Sequence, residues 1–232
     1  MSGNLSSEQV EQQLVQAMGP DLGHVFHALS HEVAWLHAKW LEYRKLFAKS
    51  EERLDLLNSS AGFFFYTIQK VVWEDVLLHI ARLLDPPKQG KHANLSLRML
   101  PDFLRDQEAE PAPTLCWLLE VAEESAGFVR DWRDKHLAHR DLDYAMGRAA
   151  SPLAAVSRQQ VEQALASLRA VLNHLHTHYL GGQVGYEHFW THSDADELVY
   201  HLSVARRAER AQHERLVAGQ PLPEDLEAPP AI

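Results

Sequence analysis

The sequence predicts an all-α protein: an up-and-down helical bundle with an extra helix at each end. Three observations predict it. Apolar residues recur at helical spacing through most of the chain from Asp21 to Val217. Clusters of Pro, Gly, Ser and Asn cut this pattern into pieces of helix length. No piece alternates apolar and polar residues between turn signals, so strands are not expected.

The elements follow in order. Residues 1–19 read as a short helix, with Ser6 and Gln9 at capping-box spacing and Gly19-Pro20 as the stop. A second helix runs from about Asp21 to Lys49, with Leu36, Trp40, Tyr43 and Phe47 on its apolar face. Ser50 is a good cap for a third helix, and Glu51 and Glu52 suit its first turn. Asn58-Ser59-Ser60-Ala61-Gly62 is a weak point where that helix bends or restarts. Phe63 to Leu84 is apolar nearly all round, which predicts a central position. Two prolines end it at Pro86-Pro87 and open a locally basic loop through Ala93. A short helix over 96–106 follows, then a break at 108–113. Thr114 opens a helix that ends near His139. After a linker at 147–152, Ser157 caps a helix with a clean stripe from Val161 to Tyr179, and Gly181-Gly182 stops it. Residues 184–191 are aromatic and irregular. Asp194 to Val217 is the last helix, and the proline-rich remainder reads as a disordered tail. The expected domains are an N-terminal helix (1–19), a bundle (20–205) and the helix end with its tail (206–232).

Composition bounds the function. A chain of 232 residues suits one domain with a proper core. Asp and Glu outnumber Lys and Arg by 32 to 22, which argues against broad electrostatic capture of nucleic acid, so any such contact must be local. The single cysteine, Cys116, excludes an internal disulfide and a Cys-based zinc site. There is no basic-then-apolar leader and no apolar run of membrane-spanning length. A cytoplasmic protein without membrane contact is expected. No glycine-rich phosphate loop and no Gly-x-Ser-x-Gly occurs, and no cofactor is expected.

One stretch stands out: Asp131-Trp132-Arg133-Asp134-Lys135-His136-Leu137-Ala138-His139-Arg140-Asp141. On a helix from Leu115, at about 100° per residue, Leu115, Leu119, Ala122, Ala126 and Val129 share a stripe. Arg133 falls on that stripe and His136 lies close to it. A core-facing seam thus ends in a guanidinium and an imidazole, which require a partner or a task. Ordinary ion pairing with the neighbouring aspartates is one outcome. Asp75 and Arg82, on the apolar helix, are further candidates to meet this charged end.

Arg133-Asp134-Lys135-x-x-Ala138-His139 resembles the Arg-x(4–6)-His motif of the HEPN superfamily (higher eukaryotes and prokaryotes nucleotide-binding). Gly62-Phe63-Phe64-Phe65-Tyr66, Trp73-Glu74-Asp75-Val76, Ala81-Arg82-Leu83-Leu84-Asp85-Pro86-Pro87 and Asn94-Leu95-Ser96-Leu97 resemble its abortive-infection, AbiU-like branch. The likeness covers roughly residues 20–205. It implies a HEPN-type bundle that pairs as a homodimer and acts as a metal-independent endoribonuclease, a toxin or phage-defence effector. It also implies RNA as substrate, with a cognate antitoxin or nucleotidyltransferase as partner. By carry-over, Arg133 and His139 are the catalytic pair. Asp134, Lys135, His136, Arg140, Asp75 and Arg82 are supporting groups. Arg133 and His139 point about 120° apart on a regular helix, so they converge only through a bend, the reach of Arg or the second protomer. His136 is better aligned with Arg133 and can serve instead.

Two other readings stay open. One is a non-catalytic HEPN-like interaction module, suggested by the acidic balance and the aromatic stretch around Tyr186, Phe189 and Trp190. The other is a His-rich metal-binding bundle, from His174, His176, His178, His188, His192 and His201; it lacks an evident third ligand.

Overall fold

A computed structural model describes residues 5–105, 109–137, 142, 146, 148, 155–188 and 193–227, with the backbone alone at 135 and 137. The fold is an all-α bundle. Helix α1 (Ser7–Met18) starts at a complete capping box: Gln9 N donates to Ser6 Oγ at 3.3 Å and Ser6 N to Gln9 Oε1 at 2.8 Å. Gly19, at φ +83°, separates it from α2 (Pro20–Phe47). Ser50 Oγ accepts from Arg53 N at 3.2 Å and opens α3 (Glu51–Leu83). Helix α3 kinks at Ala61, inside the predicted weak point.

The loop after α3 holds two two-residue strands, β1 (Lys88–Gln89) and β2 (His92–Ala93), paired antiparallel. They are a local turn closure that period-two alternation is too short to reveal. A 3-10 helix (Leu97–Leu104) follows. Its cap, the fully buried Ser96, accepts from Arg98 N and donates to Asp85 O at 2.6 Å. The helix expected from Thr114 is broken into α4 (Ala112–Ser125) and α5 (Gly127–Trp132), with Ala126 between them at φ −97°, ψ 7°. A π turn (Arg133–Leu137) continues α5. Helix α6 (Arg158–Leu180) starts at a Ser157/Gln160 capping box and stops at Gly181 in the left-handed conformation. Asp194 caps α7 (Ala195–Val217) by accepting from the backbone of Asp196 and Glu197.

The chain forms two compact units, Met1–Trp40 with Val72–Phe189, and Leu41–Val71 with Trp190–Ile232. In the first, α2 and α3 run antiparallel: Trp40 meets Trp73 at 5.9 Å between ring centres, and Glu32 lies beside His79. Helices α4 and α6 also pack antiparallel, with Ser125 Oγ 2.7 Å from Ser167 Oγ and His174 Nε2 2.9 Å from Pro111 O. Leu29, Leu36, Leu77, Ile80, Leu97, Leu115, Leu165 and Leu168 are among its fully buried side chains. Helix α1 crosses α2 so closely at Gly23 that a Cβ there would sit 2.6 Å from Val15 Cα. Gly23→Ala is therefore expected to cost about 1–3 kcal/mol in urea unfolding, as overpacking does.

In the second unit, Lys45 Nζ donates to Asp194 at 2.6 Å and Ala195 N to Glu42 at 2.7 Å, which fixes the start of α7. Arg53 and Lys49 both hold Asp196. The predicted central position of the apolar run does not extend to its first turns: Phe63, Phe64, Tyr66 and Val71 are exposed. The described part of the expected tail contains a 3-10 turn (Pro223–Leu226), whose buried Asp225 takes a two-point hydrogen bond from Arg215. Among the described residues, no helix is long and apolar enough to cross a membrane.

Candidate functional site

The predicted stripe is buried as expected: Leu115, Leu119, Ala122, Ala126 and Val129 all lie in the core. Arg133 comes one turn later, where the seam leaves the interior, and it is half-buried. Its guanidinium has two carboxylate partners. Nη1 contacts Asp85 Oδ1, at the end of α3, and Nε donates to Asp134 Oδ1 at 2.8 Å. The Asp134 hydrogen bond first, and the Asp85 charge with it, hold Arg133 further into its charged form.

Arg133 also lines a cavity of about 300 Å³ with Arg98, Arg130, Glu123, Asp85 and the end of α3. Glu123 bridges two of these cations, 2.8 Å from Arg98 Nε and 3.3 Å from Arg130 Nη2. Three guanidiniums on one wall can receive a phosphate, and the forked Arg geometry suits it. The same wall carries carboxylates that compete with such an anion.

His136 stands in the π turn, edge-on to Trp132 with ring centres 5.5 Å apart, and its Nε2 lies 3.2 Å from Glu74 Oε1. Arg133 is thus tied to Asp85, just beyond the end of α3, and His136 to Glu74 within it. Among the described residues, neither Asp75 nor Arg82 pairs with Arg133 or His136. Asp75 pairs with Lys39 on α2, and Arg82 is exposed. Glu74 lies one residue before Asp75, which turns their side chains about 100° apart on α3, and Asp85 lies beyond the end of α3. His139 and Arg140 lie outside the described residues, as does the side chain of Lys135.

Asp85, Glu74, Arg98, Arg130 and Glu123 were not singled out by sequence reasoning. A signal existed for two of them, since Glu74 and Asp85 belong to the conspicuous pieces Trp73–Val76 and Ala81–Pro87.

The histidines expected for a metal serve other contacts. His174 bonds Pro111 O, and His176 Nδ1 bonds Gly182 O at 2.7 Å. His178 packs edge-on against Tyr179, and His192 is outside the described residues. Among the described residues, no group of three or more His, Cys, Asp or Glu side chains is placed to hold a metal.

Two histidines are buried in the first unit. Burial holds His37 down to about 4, with Arg169 adding to the effect and Glu187 opposing it. Burial likewise holds His79 at about 4, reinforced by Lys39 and opposed by Glu32. Lys39 Nζ lies 2.9 Å from His79 Nδ1, while Glu32 stands 2.8 Å from Nε2 but off the N–H direction.

Among known proteins, a sequence model of the HEPN family described as AbiU2 matches residues 19–201. No curated protein and no solved structure matches the chain.

Proposed function

Because the chain belongs to the AbiU2 family of HEPN proteins, we propose that it is a dimeric, metal-independent endoribonuclease acting as an abortive-infection effector. The observation that carries this reading is Arg133, which ends a buried helix seam on the wall of a cavity it shares with Arg98 and Arg130. RNA supplies its own nucleophile. A motif histidine, His139 or His136, takes the proton of the 2′-hydroxyl, whose oxygen attacks the adjacent phosphorus. The bond to the 5′-oxygen breaks, and that oxygen leaves with the proton, handed back by the imidazolium that took it. Arg133 stabilises the charge that builds on the phosphoryl oxygens. The products are a 2′,3′-cyclic phosphate and a 5′-hydroxyl. A second protomer would bring its own motif to the same RNA, offsetting a formal charge of −10. The exposed Phe63, Phe64, Tyr66 and Val71 suit burial against another chain.

The test is cleavage of RNA in EDTA by the purified full chain, with the ends identified as 2′,3′-cyclic phosphates. Absence of cleavage, or cleavage that needs a divalent cation, overturns the reading. Asp85→Asn removes one of Arg133's competitors. It should tighten binding of inorganic phosphate by about 0.2–1 kcal/mol, up to roughly fivefold in affinity, measured by calorimetry.

The double pairing of Arg133 with Asp85 and Asp134 favours a second reading, a non-catalytic binding module in which the pair is structural. In that case Asp85→Asn lowers stability and leaves phosphate binding unchanged.

A further inference from the structure

We propose that Ser7, His27 and His31 form a site for a divalent transition-metal ion that clasps α1 to α2. His27 and His31 lie one turn apart on α2, so their rings project from one face. Their Nε2 atoms are 3.1 Å apart. Ser7 Oγ, from the first turn of α1, is 3.3 Å from each of them. These three atoms make a nearly equilateral triangle. A tetrahedron with metal–nitrogen bonds of 2.0–2.1 Å has edges of about 3.3–3.4 Å, so the triangle matches one of its faces.

Glu11 on α1 places a carboxylate oxygen 3.8 Å from His27 Nδ1 and 2.9 Å from His24 Nδ1. At 3.8 Å this carboxylate is beyond hydrogen-bond reach of His27 and hydrogen-bonds His24 instead, so it acts on the site through its charge alone. The rings of His27 and His31 also line a cavity of about 280 Å³, which leaves room for water as the fourth ligand. The 3.1 Å separation also fits a simple imidazole–imidazole hydrogen bond, so metal binding decides between the two arrangements. The site shares no residue with the Arg133 motif and does not depend on its activity.

The experiment uses untagged full-length protein stripped with chelator and titrated with Zn²⁺ by calorimetry and thermal unfolding. One equivalent should bind and raise the unfolding midpoint by a few degrees, as any ligand specific to the folded state does. Mg²⁺ should do neither, because imidazole sites select nitrogen-preferring metals. His27→Ala and His31→Ala should each abolish both effects. His178→Ala should keep both. His31 is exposed, so His31→Gln gives a folded control that also loses binding. Co²⁺ should show the visible absorption of tetrahedral nitrogen–oxygen ligation. Zn²⁺ binding that persists in both histidine variants, or no binding by the unmodified chain, overturns the proposal.

Discussion

Arg133→Ala is expected to lower RNA cleavage by about 10²–10³-fold, the usual consequence of removing one preorganised group from developing oxyanion charge. The effect should fall on kcat, because the guanidinium matters most once charge has built on the phosphoryl oxygens. Arg133→Lys should not restore the rate, since a point charge replaces a fork that bonds in two directions. Folding should be affected much less. Asp85 and Asp134 lose a partner, but the pair reaches solvent and such pairs contribute little. A variant that stays folded, as judged by its unfolding midpoint, yet cuts RNA at the unmodified rate would remove Arg133 from the mechanism. The histidines separate in the same assay. If His139→Ala stops cleavage and His136→Ala does not, the six-residue spacing operates; the reverse places the chemistry at the residue beside Trp132 and Glu74.

The largest expected effect on stability is loss on acidification between pH 6.5 and 4. His37 and His79 are both held at about 4 in the folded protein, while in the unfolded chain a histidine titrates near 6.5. Over that interval the unfolded chain binds more protons, so stability rises with pH. It is complete above the unfolded value and is lost progressively as pH falls toward 4. Each buried imidazole that must be protonated costs roughly 3 kcal/mol at pH 4. The depressed carboxyls of Asp194 and Asp225, both about 2, act in a lower window, from 3.8 downward. Urea denaturation at pH 7, 5.5 and 4.5 reads the effect. His37→Phe should flatten part of the slope, because His37 stacks on Tyr186 in an apolar setting and its Nε2 has no hydrogen-bond partner. A slope unchanged in that variant would assign the acid sensitivity elsewhere.

What the sequence makes legible is local. The Ser6/Gln9 and Ser157/Gln160 caps, the Gly181 stop and the Asp194 start are decided within four residues, and all four are found as expected. The seam from Leu115 to Val129 is likewise a matter of periodicity, and it is buried as expected. The site is less legible because its contacts are long-range. Asp85 reaches Arg133 across 48 residues and Glu74 reaches His136 across 62. Periodicity favoured Asp75 over its neighbour Glu74 and did not reach Asp85, which lies beyond the helix. The triangle of Ser7, His27 and His31 joins two helices whose crossing is set by Gly23, and no spacing along either helix reports that crossing. The exposure of Phe63 and Tyr66 depends on what covers them, which residue type alone does not state.

The π turn at Arg133–Leu137 has a consequence for length variation. Its hydrogen bonds span one more residue than those of an α-helix, so this loop of backbone already stores an extra amino acid. Removing one residue here lets the turn relax into ordinary helix, because five residues of π turn and four of α-helix sweep about the same rotation. A chain built this way can gain or shed a residue between its arginine and its second histidine without unravelling the helix before them. A one-residue deletion in the turn therefore changes which side chains occupy it and leaves the seam intact.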